Sequence, residues 1–401
     1  MLSCPRVPAG ADNGSSPTTP SEAGIDARPD EGDVTRKGDI PVAIASDDSP
    51  VPRDRLVYRW DLDKTYLRTE FDTVRDLLRT AFETAKDKRA VPGAPALLRE
   101  IRASEPHGIY IVSGSPEQLR RVLEAKLRLD GIRWDGFVLK PQLRNILRGR
   151  FRFLKDQVSY KLAALLDTRA RLPLDVREYM FGDDAEADAF IYSLYSDLCL
   201  GKVEVATLMR VLELAGVYPD VLPRVVRMAE HLPRSHGALR IFIHLERVSA
   251  PGAFDGFGAR VCPFYNYLQP ALVLHSDGAL DPLSVLRVAA ELVIENGFTP
   301  DALSASYVDL VARRQIGGRS GQALVSFIED VDESLLATTG PVIKAFGREL
   351  AKERALSAPE PPRPSPPDID YVSMFEADRA RAITGKLRAL GKLTLVLDED
   401  E

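Results

Sequence analysis

The chain has 401 residues, room for two or three domains at roughly 150 residues each, and its 45% hydrophobic share supports a sizeable core. Its 53 Lys+Arg against 59 Asp+Glu give a net charge of −6, no global basic field for a polyphosphate backbone, so nucleic acid is not an expected partner. Three scattered cysteines (Cys4, Cys199, Cys262) show neither a disulfide framework nor metal-ligand spacing. With no apolar run of about 18 residues and no basic-then-apolar start, the expectation is a cytoplasmic protein without a transmembrane segment.

Residues 1–52 are rich in Pro, Gly, Ser, Asp and Thr. They hold too little apolar surface to offset ordering entropy and are expected to be disordered. Leu56–Trp60 then reads as a strand ending at Asp61. Apolar residues at helical spacing predict a helix over Thr73–Lys86, and Ala94–Ala103 reads as another. Gly108–Val112 reads as a second strand ending at Ser113, Pro116–Leu127 as an amphipathic helix, and Gly136–Leu139 as a third strand. Val158–Leu166 reads as a helix, and Glu178–Phe181 as a fourth strand ending at Gly182-Asp183. This alternation predicts an α/β fold over 53–202, a Rossmann-like parallel sheet with helices on both faces.

Beyond residue 203 the pattern becomes mainly helical, and 203–357 reads as a helical C-terminal accessory domain. Val203–Val217 and Val221–Leu232 read as helices. Asp281-Pro282 and Thr299-Pro300 each offer a cap followed by a first-turn proline. Gln322–Leu336 and Val342–Leu356 continue the series, while Leu239–Leu245 and Leu272–Leu274 are strand candidates. Residues 358–401 open with a Pro-rich stretch that reads as a stiff linker, then a terminal helix over Tyr371–Leu390 and an acidic tail.

In parallel sheets the site lies outside the carboxyl ends of the strands, and four polar clusters fall there. Asp61 and Asp63, two residues apart, leave the first strand on one side. One carboxylate can attack phosphorus while the other serves the leaving oxygen as an acid. Ser113-Gly114-Ser115 places a hydroxyl on a flexible backbone. Lys161 supplies an ammonium for transition-state charge. Gly182-Asp183-Asp184-Ala185-Glu186-Ala187-Asp188 offers carboxylates suited to Mg²⁺, which prefers oxygen ligands.

In that order the clusters resemble the haloacid dehalogenase-like phosphohydrolase superfamily. Asp61-Leu62-Asp63-Lys64-Thr65 matches its first motif, Ser113 the second, Lys161 the third, and Gly182-Asp183 with Asp184 or Asp188 the fourth. Ser113-Gly114-Ser115-Pro116 and the span from Gly182 through Asp188 to Tyr192 are similar to the catalytic domain of actin-patch-associated phosphatidate phosphatases. The resemblance covers about residues 55–200. It implies a nucleophilic Asp61, an acid–base Asp63, an orienting Thr65, and Ser113 and Lys161 as phosphoryl-group holders. It also implies Mg²⁺ on Asp61, the Asp63 carbonyl and Asp183, supported by Asp184 or Asp188. The implied activity is Mg²⁺-dependent hydrolysis of a phosphomonoester, phosphatidate-like or otherwise, at a site where peripheral membrane contact is allowed.

The bland readings differ by residue. Lys155 competes with Lys161; the amphipathic spacing of Leu162, Leu165 and Leu166 favours Lys161. Ser113, or equally Ser115, serves as a cap for the helix expected from Pro116, and Asp184 and Glu186 as first-turn helix acids. Arg59 needs a partner or an exposed strand end in an otherwise apolar strand. The five histidines read as structural or surface residues, Gly317–Gly321 as an interhelical turn, and Trp60 and Trp134 as core aromatics. The segment between Asp63 and Ser113 looks too short for a large cap domain. The rival reading is a scaffold or regulatory protein with a degenerate phosphatase fold, whose helical half binds a protein partner.

Overall fold

Six short apolar runs pair into one parallel sheet: β1 (Leu56–Trp60), β2 (Gly108–Pro116), β3 (Gly136–Lys140), β4 (Arg177–Asp183), β5 (Ala238–His244) and β6 (Val261–Phe264). The computed structural model describes residues 50–68, 89–140, 150–332 and 336–377, with backbone alone for 150–156. The strand order is β3-β2-β1-β4-β5-β6, and every neighbouring pair is parallel. β1 is buried along its whole length, as a central strand covered on both faces must be. From β1 the chain builds β2 and β3 on one side, then crosses back to place β4 on the other. The β1–β4 boundary is therefore the switch point where open parallel sheets form their ligand crevice.

The helices follow as α1 (Ala94–Ala103), α2 (Arg120–Leu129), α3 (Arg150–Arg169), α4 (Asp188–Cys199), α5 (Val205–Leu214), α6 (Leu222–Glu230), α7 (Leu268–Ser276), α8 (Pro282–Ile294), α9 (Pro300–Ala312), α10 (Gly318–Asp330) and α11 (Gly340–Leu350). Alternation along the strands sorts their side chains to two faces. Tyr58, Trp60, Tyr179, Phe181 and Phe242 face the core formed with α1, α2 and α7 to α11. Val112, Met180, Ile241 and Ile243 face the core formed with α3 to α6.

The α/β fold with its helical region is as the sequence predicts, but residues 203–357 do not form a separate domain. β5 and β6 extend the same sheet, and a ladder of rings runs across the join. Trp60 stacks on Phe181 (centroids 3.8 Å apart), Phe181 on Phe242 (4.7 Å), and Phe242 meets Phe264 edge-on (6.5 Å). Leu272–Leu274, a strand candidate, lies in the buried helix α7. β2 runs on through Ser113 and Ser115 to Pro116, so the helix expected from Pro116 begins only at Arg120 after a single 3₁₀ turn. The Pro-rich stretch is strapped to the body rather than free. Gly318 N–H donates to Ala358 O (3.0 Å), Arg319 N–H to Glu360 (2.8 Å) and Lys202 Nζ to Pro366 O (2.9 Å). Glu360 thereby occupies the start of α10, and Gly317–Gly321, expected as an interhelical turn, is the N-cap and first turn of that helix. The expected helix over Thr73–Lys86 and nearly all of the expected disordered segment lie outside the described residues. Of the expected terminal helix, 371–377 is described and is helical.

Candidate active site

Asp61 directly follows β1, and its N–H donates to Phe181 O of β4 (2.9 Å). That bond carries the ladder one residue past the strand and fixes Asp61 at the switch point. The chain then reverses sharply. Tyr66 and Leu67 N–H both donate to Leu62 O (2.9 and 2.8 Å), and Lys64 N–H donates to Leu67 O (2.9 Å). Lys64 adopts φ +60°, a left-handed conformation uncommon outside glycine. The reversal returns the Thr65 hydroxyl to 3.3 Å from Asp61 and 3.4 Å from Asp183. It also turns Asp63 towards β2, where Ser113 Oγ (2.9 Å) and Ser115 Oγ (2.7 Å) both donate to its Oδ2. Beyond the turn, residues 66–68 and 89–91 are tied together by Arg68 N–H to Arg89 O (2.9 Å) and Val91 N–H to Tyr66 O (2.8 Å).

Asp183 ends β4. Its Oδ1 accepts from Ala185 N–H (2.6 Å) and Glu186 N–H (2.9 Å), an Asx-type turn that brings Glu186 and Asp188 back over the strand end. Asp188 Oδ2 accepts from Asp183 N–H (3.2 Å). Residue 182 must be glycine here, because a Cβ would fall 2.4 Å from Asp188 Oδ2. Lys161 reaches in from α3, fully buried, with Nζ 3.1 Å from Asp61 Oδ1 and 2.5 Å from both Glu186 and Asp188.

Four carboxylates thus share a buried space with one ammonium. Burial drives the Asp61 pKa well above the ordinary carboxylate range; Lys161 opposes the shift, and Asp188, Glu186 and Asp183 add to it. Asp183 is raised by burial and then by Glu186 and Asp188, and Glu186 is raised chiefly by burial, against Lys161. Burial works against the Lys161 charge, yet Asp188, Asp61 and Glu186 hold its pKa well above the ordinary value. One oxygen from each of Asp61, Asp183, Glu186 and Asp188 lies within 4.8 Å of the others. Asp61 Oδ1 is buried and, among the described residues, meets the Lys161 ammonium as an ion pair but accepts no hydrogen bond. A surplus of buried, oxygen-only acceptors fits a hard divalent cation.

The structure brings together Asp61, Thr65, Lys161, Asp183 and Asp188 at one point, with Asp63 and Ser113 beside them. Asp184 does not join. Its carboxylate accepts from Arg247 N–H (2.8 Å) and Ser249 N–H (3.1 Å), tethering the loop after β5, because its side chain leaves the turn on the side away from Asp183. The Asp63 carboxylate is also outside the four-carboxylate group. Lys155 shares α3, but its side chain lies outside those described. Glu186 belongs to the cluster rather than being only a first-turn acid. Ser115, read as a helix cap, is bound to Asp63, and the Ser-x-Ser spacing was the available signal.

Three further residues at the site gave no local signal. Gln157, one turn before Lys161, is buried; its Oε1 meets Ala187 N–H at 3.5 Å, and its Nε2 has no partner among the described residues. His244 Nδ1 lies 2.9 Å from Lys64 O, and the Tyr267 hydroxyl donates to Thr65 O.

An acidic pair after the first strand, hydroxyls after the second, a buried lysine and an acidic turn after the fourth, on a Rossmann-like sheet, form an arrangement similar to that of the haloacid dehalogenase-like phosphatases. Residues 60–207 match the family model of the phosphatidate phosphatase APP1 catalytic domain, and that stretch is related to it. No curated protein and no solved structure matches the chain. Among the described residues no helix is long and apolar enough to cross a membrane.

Proposed function

We propose that the chain is a Mg²⁺-dependent phosphatase that hydrolyses a phosphomonoester through an aspartyl-phosphate, with phosphatidate-like esters as the leading substrate class. One observation carries this reading. Asp61 is buried at the switch point, its Oδ1 accepts no hydrogen bond among the described residues but is ion-paired with Lys161 Nζ at 3.1 Å, and it sits among three further carboxylates.

In the first step an Asp61 oxygen attacks phosphorus and the ester P–O bond breaks. Asp63 gives its proton to the departing oxygen. Ser113 and Ser115 both donate to Asp63 Oδ2, which orients that carboxyl and leaves Oδ1 for the proton. In the second step Asp63, now a carboxylate, takes a proton from water as the water oxygen attacks phosphorus. The bond from phosphorus to Asp61 breaks, phosphate leaves, and the Asp61 carboxylate is restored. Lys161 and Thr65 hold Asp61 in line throughout. Mg²⁺ held by Asp61, Asp183 and Asp188, with Glu186 and the Asp63 carbonyl in support, would neutralise charge on the transferred phosphoryl group.

A scaffold has no use for four buried carboxylates, whose desolvation is costly. The test is a panel of lipid, nucleotide, sugar and peptide phosphomonoesters, with and without Mg²⁺. Asp61→Asn should lower kcat on the best substrate by at least about 10⁴-fold and abolish a beryllium fluoride adduct. A chain that turns over no member of the panel with Mg²⁺ is not this enzyme.

A further inference from the structure

The turn that carries Asp63 is held from two sides. On the β2 side, Ser113 and Ser115 bind the carboxylate itself. On the β5 side, two residues outside the matched stretch 60–207 bind consecutive backbone carbonyls. His244, the last residue of β5, places Nδ1 2.9 Å from Lys64 O. Tyr267, immediately before α7, donates its hydroxyl to Thr65 O.

Both side chains are themselves fixed. Tyr267 is fully buried and His244 is 8% exposed. The Tyr267 ring stacks on Trp60 (5.9 Å), meets Phe264 edge-on (4.9 Å) and stacks on His244 (5.9 Å). A carbonyl only accepts, so His244 Nδ1 carries the hydrogen. Burial lowers the His244 pKa, which favours the neutral ring. Between these clamps lies Lys64 at φ +60°. A non-glycine residue is uncommon in that region and persists only where its surroundings over-determine it.

We propose that His244 and Tyr267 are positioning residues for proton transfer: by holding the Lys64 and Thr65 carbonyls they fix the left-handed turn that aims Asp63 at the ester oxygen. This rests on the phosphatase reading above. It gives the later part of the chain a share in the site, with neither residue touching substrate. Loosening the turn should misplace Asp63 and the Thr65 hydroxyl while leaving the phosphate-holding groups Ser113 and Lys161 where they are. The loss should therefore appear in kcat rather than KM.

The experiment uses the full Mg²⁺-loaded chain and the best phosphomonoester of the panel. Tyr267→Phe keeps the ring stack and removes only the hydroxyl. His244→Leu removes the donor, whereas His244→Asn returns an N–H close to the Nδ1 position. Tyr267→Phe and His244→Leu should each lower kcat about tenfold or more, with KM within about twofold. His244→Asn should recover to within about threefold of the parent. Amide hydrogen exchange supplies a readout independent of turnover. Tyr66 and Leu67, whose N–H groups bind Leu62 O, should exchange faster in the two donor-less variants, with β4 and β5 unchanged. Unaltered kcat and exchange in both variants would overturn the proposal. So would faster exchange throughout the sheet with His244→Asn no better than His244→Leu, since that describes simple core damage. A parent that hydrolyses nothing defeats the phosphatase reading alone, and exchange at 66–67 still decides whether the clamp exists.

Discussion

Glu186 and Asp184 are two residues apart, yet they do opposite things with their charge. Glu186 turns into the space shared by Asp61, Asp183 and Asp188; Asp184 turns out and holds two N–H groups of the 247–249 backbone. Because burial raises the Glu186 pKa, its charge is carried at a cost in the metal-free fold, and a neutral isostere removes that penalty. Glu186→Gln should therefore raise the metal-free melting temperature, by about 2 °C or more, while weakening Mg²⁺ binding about tenfold. Asp184→Ala should leave Mg²⁺ affinity within about twofold and instead speed amide exchange at Arg247 and Ser249. Melting curves with and without chelator and a calorimetric Mg²⁺ titration separate the two roles. Equal effects of the two changes on Mg²⁺ affinity would contradict the assignment. The acidic run was visible in the sequence as a run. Which acids face inward was not, because that follows from the Asx-type turn at Asp183 and the missing Cβ at Gly182.

At the scale of the element, β1 shows why a polar residue can sit in a central strand. Arg59 is 1% exposed and donates through Nε (2.9 Å) and Nη2 (2.7 Å) to Glu178 of β4. Tyr195 of α4 donates to the same carboxylate (2.7 Å), and Thr168 of α3 accepts from Arg59 Nη1 (2.5 Å). The guanidinium lies between the Tyr110 and Tyr195 rings, 5.7 and 5.6 Å from their centres. This network ties both neighbouring strands and two helices to the strand that delivers Asp61. Arg59→Met strands the Glu178 charge and should destabilise the fold by about 3–5 kcal/mol, measured by denaturant unfolding. Arg59→Met combined with Glu178→Leu should lose clearly less, and an equal loss would mean that packing rather than charge is at stake. That Arg59 needs a partner is legible from its strand. The partner's identity is not, because the two residues meet only after three crossovers. The same distance separates strands that were legible from one that was not. β1, β2 and β4 are apolar runs ended by chemistry-bearing residues, and β3 is a short apolar run. β6 is four residues, Val-Cys-Pro-Phe, with a proline that a central strand excludes and an edge strand tolerates.

Over the whole molecule, the limit of local reading is the boundary placed at residue 203. Strand–helix alternation loosens there, so a second domain is the natural inference. The sheet, however, has two faces to cover, and one of them carries Tyr58, Trp60, Tyr179, Phe181 and Phe242. Before residue 203 the described helices on that face are α1 and α2 alone, and α7 to α11 complete the cover. β5 also pairs with β4 from Glu178 to Asp183, so a break at 203 would leave β4, the strand that carries Asp183, as an open edge. A 50–202 fragment, which holds nearly all of the matched stretch and every acidic ligand candidate, should therefore fail as an independent domain. The expected result is a chain that binds a hydrophobic dye, aggregates through the uncovered face and the β4 edge, and shows no cooperative melt. Restoring the chain to residue 377 should bring back one cooperative transition, because both cores then close around a single sheet. A 50–202 fragment that melts cooperatively and hydrolyses a phosphomonoester with Mg²⁺ would show instead that the later segment is dispensable. It would also remove the reason to give His244 and Tyr267 any part in the site.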